Sequence, residues 1–172
     1  MRYRRIWTPG GTYFFTVVTY ARASIFKDEN AYLLFLSCLQ DVKIRHPFDL
    51  IAWSIMPDHV HLIWSLPPGD ANNAVRWGLI KSQFTRRFRK LESSGNYENQ
   101  RHRRERTVWQ RRFWEHLIMS DEDLWRHIHY IHFNPVKHGL SASPKSWGMS
   151  SFMQFVDQQY YEVDWGNQAD VW

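Results

Sequence analysis

Apolar and polar positions along the chain separate seven segments of distinct period. After the Gly10–Gly11 turn, TYFFTVVTY (12–20) is crowded with β-branched and aromatic residues and predicts a strand. KDEN (27–30) supplies helix-start chemistry. Tyr32, Phe35, Leu36, Leu39 and Val42 then recur at helical spacing, predicting a helix over 31–45 that Pro47 stops. LIAWSI (50–55) predicts a second strand, Met56-Pro57-Asp58 a turn, and 59–66 a returning third strand closed by Pro67-Pro68-Gly69-Asp70. Asn72 or Asn73 can cap a second helix, whose stripe Val75, Leu79, Ile80, Phe84, Phe88 and Leu91 runs through 74–91. ESSGNYENQRHRRER (92–106) has almost nothing to bury and predicts a basic loop. RFWEHLIM (112–119) predicts a fourth strand. Ser120 then caps a third helix with three acids in its first turn, where the helix dipole favours them, and Pro135 and Gly139 punctuate its end. The last thirty residues, with Trp147, Phe152, Phe155 and Trp165, predict a tail packed on the domain.

The order strand, helix, strand, strand, helix, strand is that of an α+β, ferredoxin-like βαββαβ antiparallel sheet. Both crossover helices then share one face, and the extra C-terminal helix is available to cover the other. With 172 residues and no internal repeat, the chain is expected to be one domain over 1–172, with a core at about 10–140 and a tail over 141–172.

Within the third strand, MPDHVHLIW (56–64) places His59 and His61 two apart. Residues two apart in a strand point to the same face, so both imidazoles lie on one side while Val60, Leu62 and Trp64 point to the other. If those apolar residues pack on the two crossover helices, the histidines face the sheet surface left for the third helix. On that helix, Tyr130 and Asn134 are four apart and share a face, while Leu124, Ile128 and Ile131 form a separate anchoring stripe. Two imidazole nitrogens and one carboxamide oxygen make an incomplete ligand set. It suits a divalent metal, Mg²⁺ or Mn²⁺, with positions left for water or a phosphate oxygen, and is a poor structural zinc site. Such an ion polarises a phosphodiester, and an adjacent tyrosine hydroxyl can attack phosphorus.

Charge adds a partner. Residues 81–112 hold 11 of the 22 Lys and Arg and three acids, so this segment carries +8 while the rest of the chain carries −3. That asymmetry points to a polyanion, with nucleic acid the usual one. No apolar, uncharged run exceeds about nine residues, too short to span a membrane. The single cysteine, Cys38, sits in an apolar helical stretch and reads as core, consistent with a reducing cytoplasm.

HVH resembles the HUH motif (His, bulky apolar, His) of the HUH endonucleases. RYRRIWTPGGTYFFTV, WSIMPDHVHLIWSLP and RFWEHLIMSDEDLWRHIHYIHFNPVKHGL resemble the REP-associated tyrosine transposases, single-tyrosine relatives of small insertion-sequence transposases, over about residues 2–152. The resemblance implies that His59 and His61 bind the metal, that Asn134 completes the site, and that Tyr130 is the nucleophile. It implies cleavage of single-stranded DNA beside a hairpin, with a 5′-phosphotyrosine link, a free 3′-OH and no nucleotide cofactor. It favours a monomer over a dimer, in a bacterial cytoplasm with no membrane partner. DNA contacts are expected from Arg4 and Arg5 in the amino-terminal arm and from Arg86, Arg87, Arg89, Arg101, Arg103 and Arg104 in the basic segment.

Other residues carry open readings. His127, one turn before Tyr130, either assists proton transfer or is a partly exposed helix residue. Asp58 either orients His59 or serves the turn. Trp109 and Trp114 flank the basic loop and either stack bases or join the core. Tyr160 and Tyr161 are read as tail packing. The competing reading for the whole chain is a hairpin-binding module without catalysis.

Overall fold

The computed structural model describes residues 8–94 and 107–167. Its elements are β1 (Thr12–Val18), α1 (Glu29–Arg45), β2 (Asp49–Met56), β3 (His59–Ser65), α2 (Asn73–Ser94), β4 (Trp114–Leu117), α3 (Asp121–Lys137) and α4 (Phe152–Asp157). The sheet order is β2-β3-β1-β4 and every neighbouring pair is antiparallel. This is the ferredoxin-like order that the hydrophobic pattern predicts.

Strand alternation sorts the core into two layers. Tyr13, Phe15, Val17, Ile55, Val60, Leu62 and Trp64 pack with Phe35, Cys38 and Leu39 of α1 and with Trp77, Ile80 and Phe84 of α2. Phe14, Ala52 and Ile63 point the other way and pack with Ile128 and Ile131 of α3 and with Phe152, Phe155 and Tyr161 beyond it. The third helix therefore covers the face that carries His59 and His61.

One expected bound needs correction, and one open reading is settled. β4 forms a ladder only over Trp114–Leu117, shorter than 112–119; Phe113 packs on the first core layer, and the Met119 N–H donates to the Asp123 carboxylate of α3 and not to a strand. Trp109 is 4% exposed, ringed by Phe26, Phe35 and Phe84, and is core, not a base platform. α3 ends between Pro135 and Gly139, as read, with Lys137 its last residue. The end is set by Gly139, whose φ of +65° suits glycine, with Leu140 N–H donating to the Pro135 carbonyl at 2.9 Å.

The segment after α3 runs along the outer side of β2. Ile55 N–H donates to the Met149 carbonyl at 2.8 Å, and Ser151 N–H to the Trp53 carbonyl at 2.9 Å, which occupies an otherwise open strand edge. Tyr161 stacks on Trp165 at 4.5 Å and on Phe152 at 5.4 Å. Tyr160 lies against Trp125 at 5.5 Å. Both tyrosines pack on the α3–α4 side, as read from the sequence.

Candidate functional site

The two histidines of β3 converge through one nitrogen each. His59 Nε2 and His61 Nε2 are 3.1 Å apart. The opposite ring nitrogens are held from behind. His59 Nδ1–H donates to Asp58 Oδ1 at 2.6 Å, and Arg22 Nη1 donates to Asp58 Oδ2 at 2.9 Å. The His59 Nε2 lone pair therefore faces His61. His61 Nδ1 lies 3.0 Å from the Thr16 hydroxyl, which can donate or accept. With Thr16 donating, His61 Nε2 carries the proton and bonds His59. With Thr16 accepting, both Nε2 lone pairs point at one place, as two ligands of one cation require.

Electrostatics keep both rings available. Burial pushes the His61 pKa well below the usual histidine value, and the neighbouring His59 and His138 push it the same way. Burial also lowers His59, more than the Asp58 carboxylate raises it. Burial works to raise Asp58, but its bonds from His59 and Arg22 outweigh this and hold it below the usual carboxylate value. Neutral imidazoles beside an ionised carboxylate form a ligand set ready for a cation.

From α3, the Tyr130 ring stands edge-on to His61 at 5.2 Å, with Lys137 Nζ 5.5 Å from the Tyr130 centroid. Asn134, one turn on, is 1% exposed, and neither its Oδ1 nor its Nδ2 has a hydrogen-bond partner. An unpartnered buried carboxamide costs roughly 1–3 kcal/mol, so this one calls for a ligand. The structure thus brings His59, His61 and Tyr130 together and leaves Asn134 buried and unsatisfied on the same helix.

Several participants carried little sequence signal. His138, just past the end of α3, faces His59 at 6.1 Å and was visible only as part of NPVKHG. Arg22 lies in a 3-10 turn where Ala21 and Arg22 both take positive φ, 51° and 52°, a conformation that costs energy in non-glycine residues. Thr16 reaches His61 because β1 pairs with β3 in the register Thr16↔His61.

A second group of titratable side chains lies between β4 and α3. The Asp123 carboxylate accepts from His116 Nε2–H at 2.8 Å and from Met119 N–H at 3.0 Å, and lies 3.2 Å from His127 Nδ1. His127 Nδ1–H also donates to the Asp123 carbonyl at 2.8 Å. His127 is thus tied to Asp123. His132 points away from Tyr130, into the core. It bonds Ser151 Oγ at 2.8 Å, and burial lowers its pKa to about 3.

Arg86 and Arg89 line a groove of about 550 Å³ with Lys81 and Arg111, on the α2 side of the molecule. Arg87 instead pairs with Asp41 of α1 at 2.7 Å. Arg4, Arg5, Arg101, Arg103 and Arg104 lie outside the described residues. Among the described residues, no helix is long and apolar enough to cross a membrane.

The sequence and the fold have close counterparts. The family model for IS200-like transposases matches residues 9–134. A REP-associated tyrosine transposase of Haemophilus influenzae is 43% identical over 170 residues, covering 98% of this chain and 95% of its own length. One from Escherichia coli K12 is 37% identical over 167 residues, covering 97% and 92%. The chain therefore belongs to the IS200-like transposases, a family of DNA-processing enzymes, in their REP-associated tyrosine group. The solved structure of a REP-associated tyrosine transposase bound to a REP hairpin is 35% identical and superposes with a TM-score of 0.84, covering 100% of this chain and 93% of that one. A transposase-like protein from Deinococcus radiodurans, 21% identical with a TM-score of 0.50, shares the fold over 81% of this chain.

Proposed function

We propose that the chain is a metal-dependent, single-strand-specific DNA endonuclease and strand transferase acting beside hairpin DNA. The observation that carries this reading is the pair of Nε2 atoms 3.1 Å apart, backed by Asp58 and Thr16, with the Tyr130 ring 5.2 Å from His61. The relative bound to a REP hairpin supports the substrate class.

His59 and His61 would hold a divalent cation through Nε2, and the carboxamide oxygen of Asn134 would be the third ligand. This donor set lacks thiolate and suits Mg²⁺ or Mn²⁺. A bound cation polarises the scissile phosphodiester and offsets the charge that builds on it. Tyr130 Oη gives up its proton and bonds to phosphorus. The P–O3′ bond breaks, and the departing oxygen takes up a proton to become the 3′-OH. In the reverse step a 3′-OH loses its proton and attacks the phosphotyrosine, the Tyr130 oxygen leaves and is reprotonated, and a strand is rejoined. Arg86, Arg89, Lys81 and Arg111 would bind phosphates electrostatically, with Arg4, Arg5, Arg101, Arg103 and Arg104 assigned the same role from sequence and Arg87 bridging to Asp41 as well. The protein would act as a monomer in a bacterial cytoplasm, as a single domain.

The test is a nicking assay on labelled single-stranded hairpin DNA with Mn²⁺. Cleavage lost on chelation and in His59→Ala supports the reading. Binding without cleavage on hairpins with varied flanks would instead make the chain a binding module.

A further inference from the structure

We propose that Trp114, backed by His116, is a stacking site for an unpaired base of the strand that Tyr130 cuts; this rests on the nuclease reading above. Trp114 sits on the edge strand β4 and is 48% exposed. Its register places it in one row across the sheet, His61↔Thr16↔Trp114, with all three side chains on the α3 face. Two inter-strand spacings separate Trp114 from His61, about 10 Å between backbones.

A continuous series of rings connects the two. Trp114 lies parallel to His116, at 6.0 Å and 6°. His116 stacks on His127 at 4.6 Å, His127 lies tilted against Phe14 at 4.8 Å, and Phe14 meets both His61 at 5.5 Å and Tyr130 at 5.9 Å. Asp123 fixes the middle of this series by bonding both His116 and His127. The indole is therefore held against a braced wall, and binding a base there orders few side chains.

The surroundings favour nucleic acid over an apolar partner. Exposed Arg111 and Arg112 are separated from the strand by Phe113 alone, and Arg111 also lines the basic groove with Lys81, Arg86 and Arg89. That groove lies on the α2 side of the sheet, so a strand with phosphates along it would pass round the β4 edge, at Arg111 and Trp114, to reach the α3 face that carries Tyr130. A base inside a duplex has both faces stacked already, whereas an unpaired base can offer one to the indole.

The test uses Tyr130→Phe protein, so that DNA stays intact, and compares a hairpin carrying a single-stranded flank with the same hairpin lacking it. Trp114→Ala should weaken binding of the flanked hairpin about tenfold, the size of one base stack, and leave the bare hairpin unchanged. Trp114→Phe should restore most of the loss. An abasic site at the contacted nucleotide should remove the difference between parent and Trp114→Ala. Equal affinity of parent and Trp114→Ala for the flanked hairpin overturns the proposal, as does an equal loss on both DNAs. If the parent binds neither DNA, the nuclease reading itself fails, and this proposal with it.

Discussion

Thr16 is a small residue with a decisive position, since its hydroxyl holds His61 Nδ1 and so bears on whether the Nε2 that faces His59 carries a proton or a lone pair. Thr16→Val keeps the shape and removes the bond. Mn²⁺ affinity should fall by roughly 10–100-fold, as for other residues that orient metal-binding histidines, while Thr16→Ser retains it. Titration calorimetry reads this directly, and unchanged affinity in the valine variant would show that the hydroxyl does not matter. Asn134 offers a sharper contrast. Its carboxamide is buried without a partner, so Asn134→Leu should leave the melting temperature equal or higher while cleavage is lost. A lower melting temperature would mean that the amide serves the fold. The placing of His59 and His61 on one strand face, and of Tyr130 on the helix that covers it, was legible in the sequence because the periods of strand and helix fix which residues share a face. Arg22, His138 and the His116–Asp123 bond were not, because each contact depends on how separate segments are placed by the fold.

At the scale of elements, α3 is held by its apolar stripe and by its ends. Ile131 is fully buried against the sheet, and Ile131→Ala should cost about 3 kcal/mol in urea unfolding, with the added penalty of loosening Tyr130 one residue away. Arg76 does comparable work at the start of α2. Its guanidinium is 2% exposed and bonds Asp70, the carbonyls of His46 and Pro47, and that of Asn72. Removing it takes a donor from the three carbonyls and leaves Asp70, which is partly exposed, with the Asn72 N–H, so Arg76→Ala should cost about 3 kcal/mol, the low end for a broken buried pair. A loss below 1 kcal/mol would show that water replaces the guanidinium freely. The elements themselves were readable from hydrophobic period, capping residues and prolines. Their limits were less so. Pro135 and Gly139 mark the end region together, yet the exact last residue was not readable: in the last turn of α3 Pro135 forfeits only one backbone bond, and Gly139 supplies the end. The Trp109 side chain sits beside a basic stretch in sequence, yet it fills a gap between α1 and α2 that only the packed fold creates.

For the whole molecule, buried histidines set the response to acid. His132 has a folded pKa of about 3 against an ordinary value near 6.5. Between those values the unfolded chain binds a proton that the folded chain refuses. Stability therefore rises with pH across this range, and is lost as pH falls below about 6.5, by up to about 1.4 kcal/mol per unit for each such group. His59, His61 and His129, also lowered by burial, add the same sign. Melting temperatures from pH 7.5 to 4.5 should fall steadily, and a flat profile would contradict the burial of these rings. The charge asymmetry makes a second prediction: hairpin affinity should drop steeply with added salt, as phosphate contacts require. The central claim is that Tyr130 becomes covalently joined to DNA at a metal-binding histidine pair. Incubating the protein with labelled single-stranded hairpin DNA and Mn²⁺, then separating under denaturing conditions, tests it in one step. A protein–DNA adduct that disappears with chelator and in Tyr130→Phe is the predicted result. An adduct that persists in Tyr130→Phe, or none from protein that binds the hairpin tightly, would contradict it.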